Sequence, residues 1–410
     1  MDQQALFTRI LNLSAPWYVE DVELDGTTDI VRIKVSYDQS ERVYCPICQS
    51  VCSSYDKRKR QWRHLDTCQY PTLIEANVPR VFCRTHGIHT IQVPWAEGRS
   101  HYTKRYEERV SADACQLTVN ALARRFRLSW SCVDRILKRS IQRGLSRRWE
   151  VDCRHLYIDE TSVAKGRHYL TVMSNQKGQV IALADGRSGD SLKQCLRSVP
   201  IQSLSKVKTI SMDMSPAYLK AVRDHFGSRA QRLIAIDHFH VARLLTSALN
   251  DIRKAEMKEL PNLQRMHLHK TRYYWLRNGE HLNTDVEQEL ESQKCMLQKT
   301  AIAWMLKEKA RAIWKGIESP ARSSWRHWFK IVNISDLKPL KTAADTIRNH
   351  LPGILNAMKY GESNARSEAM NKNIQNLRRA AHGYRNIERL KAMILLRYGK
   401  LDWSYSHQER

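Results

Sequence analysis

Nowhere in the chain do about 18 apolar residues run together, so no segment reads as a membrane-spanning helix. The opening stretch, MDQQALFTRILNLS, lacks the charged-then-apolar pattern of a secretory leader. A cytoplasmic protein is therefore expected, associated with the nucleoid if DNA is its partner. Cysteine is sparse: ten in 410 residues, unevenly spaced, too few for a disulfide framework. Acids are the other deficit. Against 42 Asp and Glu stand 68 Lys and Arg, for a net charge of +26, so the surface favours a polyanion, nucleic acid above all. The basic residues are spread along the chain rather than gathered in a tail, which predicts several folded surfaces that touch phosphates and excludes a basic-tail protein. The length allows two to four domains.

From Trp17 to Val35, WYVEDVEL and IVRIKV alternate apolar and polar residues around the turn signal Asp25-Gly26, which predicts a hairpin at the start of a β subdomain. Two cysteine-bearing pairs follow with the same two-residue gap, Cys45 and Cys48 in CPIC, and Cys83 and His86 in FCRTH. Each such turn holds two ligands a tight bend apart, and two of them close a tetrahedral site, so one structural Zn²⁺ is expected. Four ordinary buried groups would not explain the matched gap. Cys52 and Cys68 are spare. Between the pairs, KRKRQWRHLD reads either as a phosphate-contacting stretch beside a ribbon or as a solvated basic loop.

From Arg105 to Leu145 the apolar period turns helical. Ala121, Leu122 and Phe126, then after a short turn Val133, Ile136 and Leu137, outline a helix-turn-helix. Ser129 is the expected N-cap of the second helix, and Trp130, Ser131 and Arg135 are placed to face a major groove, with Arg124, Arg125 and Arg139 as basic neighbours.

The following stretch, HLYIDETSVAKGRHYL, organises the rest. Leu156, Tyr157 and Ile158 read as a buried strand that ends in Asp159, with Glu160 on the opposite face. Two later apolar runs also end in acids, VKTISMDM in Asp213 and LIAIDHFH in Asp237. Carboxylates at strand ends suit hard divalent cations, and strands delivering several of them suit two-metal phosphoryl transfer. Three strands, two of them joined by a turn over Asn175 to Gly178, then alternating helices and strands, give the order βββαβαβ of an RNase H-like fold.

After His240 comes a long helix and then about a hundred residues without a strand signal, rich in Lys, Arg and Trp, which reads as a helical insertion with its tryptophans in the core. The chain returns with GESNARSEAMNKNIQNLRRAAHGYRN. In a helix from Ser367 to Arg379, Glu368, Asn371, Lys372, Gln375 and Arg379 share one face, so Glu368 is the candidate third acid. Glu362, six residues earlier, is a nearby competitor, expected to face away and to be dispensable for Mg²⁺-dependent cleavage.

These motifs together resemble the ISL3 family of bacterial insertion-sequence transposases over nearly the whole chain. DMSPAYLKAV, DHFHV and SNARSEAMNKNIQNLRRAAHGYRN carry the resemblance most specifically. It implies a multidomain α+β chain: a zinc-binding β domain (1–100), a helix-turn-helix (101–150), and an RNase H-like catalytic domain (151–257 and 350–410) interrupted by a helical insertion (258–349). It also implies a catalytic, Mg²⁺-binding (or Mn²⁺-binding) triad of Asp159, Asp213 and Glu368, two ions per site, with Asp237 and His240 as an acid-x-x-His support and Asn371 beside them. Lys372 and Arg379 join the DNA-binding set. His86 departs from the cysteine common at that position, and Ala369 and Met370 depart in the packing after Glu368. The activity implied is binding of terminal inverted repeats, cleavage of the DNA ends and their joining to target DNA, within a dimer or larger assembly. A non-catalytic DNA-binding regulator and a nuclease without strand transfer are the alternatives.

Overall fold

The computed structural model describes residues 2–164, 168–316, 318–362 and 365–405. The chain divides into two compact units, one formed by 1–148 with 395–397 and 401–410, the other by 149–394 with 398–400. Among the described residues no helix is long and apolar enough to cross a membrane.

The first unit opens with α1 (Gln3–Ile10) and continues as β1 (Trp17–Asp25), β2 (Ile30–Tyr37), β3 (Val43–Tyr44), β4 (Val51–Thr67), β5 (Tyr70–Cys83) and β6 (Gly87–Thr90). The strand order is β1-β2-β5-β4-β3, with β6 on β5. The expected β1–β2 hairpin is present in register Trp17↔Tyr37 to Asp25↔Ile30. KRKRQWRHLD is neither loop nor ribbon flank but the middle of β4, paired with β5 from Ser53↔Phe82 to Thr67↔Tyr70. What turns it into a strand is Trp62, fully buried and edge-on to Trp95 at 5.3 Å, with Trp17 against Trp95 at 4.9 Å. Three tryptophans thus anchor a core too small to rely on aliphatic bulk. Cys68 and Gln69 take positive φ at the tip of the β4–β5 hairpin, the backbone that a two-residue turn requires.

Three helices complete this unit: α2 (Lys104–Ala114), α3 (Val119–Arg125) and α4 (Trp130–Ser146). Each is capped by a hydroxyl, Thr103, Thr118 and Ser129, that accepts from a backbone N–H three residues on. Leu122, Val133, Ile136 and Leu137 are buried between them, as their spacing predicts. The chain end returns to these helices, where the Arg143 Nε donates to the Trp403 carbonyl and the Tyr405 hydroxyl donates to Glu107 Oε2.

The second unit is built on a five-stranded sheet of β7 (His155–Ala164), β8 (His168–Asn175), β9 (Val180–Asp185), β10 (Thr209–Met212) and β11 (Ile234–Ile236), in the order β11-β10-β7-β8-β9. β7, β8 and β9 form an antiparallel meander, whereas β10 lies parallel to both β7 and β11. The links are α5 (Gly189–Arg197) and α6 (Ile201–Ser205) before β10, and α7 (Pro216–Phe226) and α8 (Ala230–Leu233) before β11. α9 (His238–Lys258) starts directly after Asp237.

Residues 258–349 are helical throughout their described elements: α10 (Asn262–Lys270), α11 (Arg272–Leu276), α12 (Thr284–Lys294), α13 (Gln298–Lys315), α14 (Glu318–Ile334) and α15 (Lys338–Asn349). Trp325, Trp328 and Phe329 lie in the same continuous core as Leu156, Met212 and Leu249, so α13 to α15 build on α9 and the sheet rather than standing apart. Trp275 centres a smaller core with Leu268, Leu290 and Leu297, and its Nε1 donates to Gln293. α16 (Leu351–Tyr360), α17 (Ala365–Ala380) and α18 (Ile387–Tyr398) are the last helices among the described residues.

Candidate active site and metal centre

Cys45, Cys48, Cys83 and His86 come together with their ligand atoms all within 4.8 Å. Cys48 and Cys83 sulfurs stand 3.7 Å apart, and His86 Nδ1 lies 3.5 Å from Cys83 Sγ and 3.8 Å from Cys45 Sγ. A zinc ion about 2.3 Å from sulfur and about 2.0 Å from nitrogen, at tetrahedral angles, sets S–S edges of about 3.8 Å and S–N edges of about 3.5 Å. The donor set therefore fits that ion, and His86 serves where a fourth cysteine would. The Ile47 N–H donates to Cys45 Sγ at 3.5 Å, as suits a thiolate. Of the spare cysteines, Cys68 sits at the far hairpin tip, and the Cys52 thiol points to the Ser50 carbonyl.

In the second unit the acids converge on the centre of the sheet. Asp159 is not at the end of its strand. β7 continues five residues beyond it, because its antiparallel partner β8 pairs as far as Ala164↔His168, while the parallel partner β10 stops at Tyr157↔Ser211. The apolar run ends where β10 stops flanking it, and it is this boundary that the sequence pattern marks. Asp213 follows β10 directly, its Oδ1 accepting from the Ser215 N–H at 2.9 Å. Asp237 follows β11, is 1% exposed, and lies 3.9 Å from His240 Nε2 in the first turn of α9.

Alternation along β7 puts His155, Tyr157, Asp159 and Thr161 on one face, and Glu362 and α17 meet that face. Glu362 meets His155 and Tyr157, Arg366 donates to the Tyr157 hydroxyl at 2.7 Å, Asn371 donates to Asp159 Oδ2 at 2.8 Å, and Gln375 donates to Thr161 Oγ1 at 2.8 Å. Glu368 is exposed, one turn before Asn371 on the same helix face. Burial pushes Asp159 up to about 6, with the charges of Glu160 and Asp213 adding to the rise and the Glu160 N–H and His240 opposing it. Glu160, on the other face against Tyr218, is also raised, first by burial and then by Asp213.

Among the described residues Asp159, Glu160, Asp213 and Glu368 have no ion-pair partner. In a chain of net charge +26 Asp159 and Glu160 are offset only through the more distant charges of His240 and Arg187, a setting that suits a divalent cation. Asp159, Asp213 and Glu368 do not close to within 4.8 Å of one another, a distance that only the cysteine-histidine set reaches among the described residues.

Glu362 has a structural place that its spacing did not suggest. It is buried, its Oε2 accepts from the Tyr157 hydroxyl at 2.5 Å, and its Oε1 lies 2.7 Å from both Thr209 Oγ1 and His155 Nδ1. It ties the approach to α17 onto β7 and β10, the two strands that carry Asp159 and precede Asp213. Glu362→Gln exchanges a charged acceptor for an amide with a surplus donor, and should cost about 2–3 kcal/mol in denaturant unfolding. A change under about 0.5 kcal/mol would contradict this anchoring role.

In the helix-turn-helix, Arg124, Arg125, Ser131 and Arg135 are exposed and Trp130 is half-buried. Arg125 also reaches Asp113 at 3.0 Å, and Arg135 touches Cys132 Sγ at 3.2 Å. Arg139 is taken up by buried Glu107 and holds α4 to α2. Lys372 and Arg379 are exposed on α17, while Arg378 caps the Ser162 carbonyl. The sequence reading missed the pairing of Glu160 with Tyr218, the Glu362 anchor, the Arg366 contact with Tyr157 and the Gln375 contact with Thr161. The period-two series His155, Tyr157, Asp159, Thr161 was the available signal for the last two.

A mixed α/β unit with clustered unpaired acids, joined to a cysteine-histidine ribbon and a helix-turn-helix, defines a DNA-processing protein. Residues 156–394 match the ISL3 transposase family, residues 91–141 the helix-turn-helix domain of ISL3 transposases, and residues 41–86 the zinc finger of the IS204/IS1001/IS1096/IS1165 transposases. The first match spans more than half of the chain, and the protein belongs to the ISL3 family of insertion-sequence transposases. It is similar to the transposase for insertion sequence element IS1001 of Bordetella parapertussis, at 24% identity over 84% of this chain and 86% of that one. It is also similar to the transposase for IS1557 of Mycobacterium tuberculosis, at 26% identity over 95% of this chain and 94% of the relative.

Proposed function

We propose that the chain binds the terminal inverted repeats of its own insertion sequence, cuts the DNA ends and joins their 3′-OH groups to target DNA. In this reading the second unit is an RNase H-like catalytic domain, which the strand order β11-β10-β7-β8-β9 and its one antiparallel strand, β8, support. Asp159, Asp213 and Glu368 hold two Mg²⁺ or Mn²⁺ ions, and Asp237, His240 and Asn371 support them. The observation that carries the proposal is the group of acids at the sheet centre, Asp159, Glu160 and Asp213, where burial and then the Asp213 charge raise the pKa of the other two and none has an ion-pair partner among the described residues.

Bound divalent ions supply a lowered pKa for the attacking oxygen and charge neutralisation at the leaving oxygen. The protein's part is to hold the carboxylates in place. The Asn371 amide fixes Asp159 Oδ2, the Glu160 N–H fixes Asp159 Oδ1, and the Ser215 N–H fixes Asp213 Oδ1, while each carboxylate oxygen keeps a further lone pair for a cation. His240 lies close enough to bias the charge of both Asp159 and Glu160. A structural Zn²⁺ at Cys45, Cys48, Cys83 and His86 holds the ends of β4 and β5. Two DNA ends must be held at once, so the working form is a dimer or larger assembly.

The test is a Mg²⁺-dependent reaction of the purified protein with duplexes ending in its own element's repeats, read for nicked and joined products. Joined products are expected. Nicking without joining would make the protein a nuclease, and neither would make it a binding regulator. In the same assay Arg135→Ala should weaken end binding by about 1–3 kcal/mol and relax sequence preference. A uniform loss across sequences would reduce Arg135 to a phosphate contact.

A further inference from the structure

A cleft of about 1410 Å³ opens in the first unit between β4, the segment from Ile91 to Lys104 and the C-terminal half of α4. β4 lines it with Arg58, Lys59, Arg60 and Arg63, the segment with Arg99 and Lys104. α4 adds Arg143 and Arg147. Glu97 is the single acid among the described lining residues, and it is already met by Arg143 at 3.4 Å and by the Tyr405 hydroxyl at 2.8 Å.

Some of this positive charge has local work. Lys59 reaches Glu75 at 3.4 Å, Arg63 binds Asp66, and Arg147 donates to the Ser404 carbonyl at 2.5 Å. Arg58 and Arg99 are exposed and, among the described residues, have neither hydrogen bond nor ion pair. Arg60 stacks on Trp62 at 4.8 Å, and burial, followed by the Arg58 charge, pushes its guanidinium down. Arg147 also reaches Asp402 at 3.7 Å, so Lys59, Arg63, Arg143 and Arg147 have acid partners, while Arg58, Arg60, Arg99 and Lys104 have none among the described residues and leave the concave surface with an excess of positive charge.

We infer that this cleft is a second DNA-binding surface, a track for the sugar-phosphate backbone of duplex DNA, distinct from the exposed N-terminal end of α4. The aromatic lining argues for backbone rather than bases. The Tyr405 ring is covered by Arg143 at 3.6 Å, and Tyr102 is stacked on Tyr106 at 5.5 Å with 12° between the rings. One face of each ring is thus already taken, which leaves little aromatic surface on which an unpaired base could stack. A duplex offers twice the phosphate density of one strand along its axis. The position also fits one continuous DNA. From Arg135 to Arg147 is about 18 Å along a rigid helix, about half a turn of duplex. Only this spacing argument rests on the proposed reading of α4.

The test uses the full-length, zinc-loaded protein, with anisotropy binding to a random-sequence duplex of about three helical turns and to an end-sequence duplex, across a salt series. The variant is Arg58→Ala/Arg99→Ala, at two exposed residues without partners, with an unchanged melting temperature as the folding control. Binding to both duplexes should weaken by the same factor, and the slope of log K against log salt should shrink by about 1.8, or 0.9 for each phosphate no longer neutralised. Between 50 and 200 mM salt that slope difference amounts to about a tenfold change in relative affinity. An unchanged slope, or a larger loss on single-stranded DNA or duplex RNA than on duplex DNA, would overturn the inference. Should Arg135→Ala leave end preference intact while the double variant still shows the smaller slope, the base-reading role of α4 falls and the cleft stands.

Discussion

Asp213→Asn should abolish Mg²⁺-dependent cleavage and joining while leaving end-DNA binding near normal. Asparagine keeps the shape of the side chain and an oxygen that can still accept from the Ser215 N–H, so the start of α7 should fold as before. What is lost is one negative charge beside Asp159 and Glu160, whose own pKa values already register that charge. A divalent ion held by fewer carboxylates binds more weakly and neutralises the leaving oxygen less well. The loss should be at least about a thousandfold in rate, or roughly 4 kcal/mol of barrier. Because Asp213 lies in the second unit, the helix-turn-helix keeps its exposed residues unchanged. Gel-shift affinity for end duplex within about threefold of wild type, together with undetectable cleavage, is the expected pair of results. Cleavage within tenfold of wild type would remove Asp213 from the metal set.

Stripping the cysteine-histidine centre should produce the other large effect. β3, β6 and the distal parts of β4 and β5 lie outside the tryptophan core: Val51 and Phe82 are exposed, and Cys45 is among the few buried groups there. With so little apolar burial, most of the order of this end must come from the metal, and Cys45→Ser with Cys83→Ser should release it at a cost of several kcal/mol. The Trp17, Trp62 and Trp95 cluster should survive, which limits the damage to one end of the sheet. Metal analysis should find about one zinc per chain in the wild type, and hydrogen exchange should quicken in Val43 to Ser54 and Phe82 to Thr90 in the variant. Substantially less than one zinc, or unchanged exchange, would contradict this.

What the sequence revealed most clearly was local. The Asp25-Gly26 hairpin, the matched cysteine pairs and the Ser129 cap are each decided within a few residues, and each is found in place. The features it concealed depend on distant partners. Asp159 reads as a strand end because hydrophobic burial stops there, but hydrogen bonding to β8 carries the strand on. Apolar pattern reports burial, and pairing follows a different boundary. Glu362 finds its partners 153 to 207 residues away, so helical phase could not foresee its burial. Arg139 looks like a groove-facing cation until Glu107, 32 residues earlier, is placed beside it. The basic cleft combines β4 with the far end of α4 and with Tyr405, which no single stretch of sequence displays.

The central claim is that Asp159, Asp213 and Glu368 jointly hold the divalent ions that drive cleavage and joining. Glu368 is exposed on α17, and the most direct test is a metal switch at that position. In Glu368→Cys the thiolate is a poor ligand for Mg²⁺ and a better one for softer Mn²⁺. Strand cleavage of end duplex by this variant should be undetectable in Mg²⁺ and partly restored in Mn²⁺, with Glu368→Ala dead in both. Cleavage by Glu368→Cys that is equally absent in Mn²⁺, or equally strong in Mg²⁺, would contradict the placement of Glu368 on the metal.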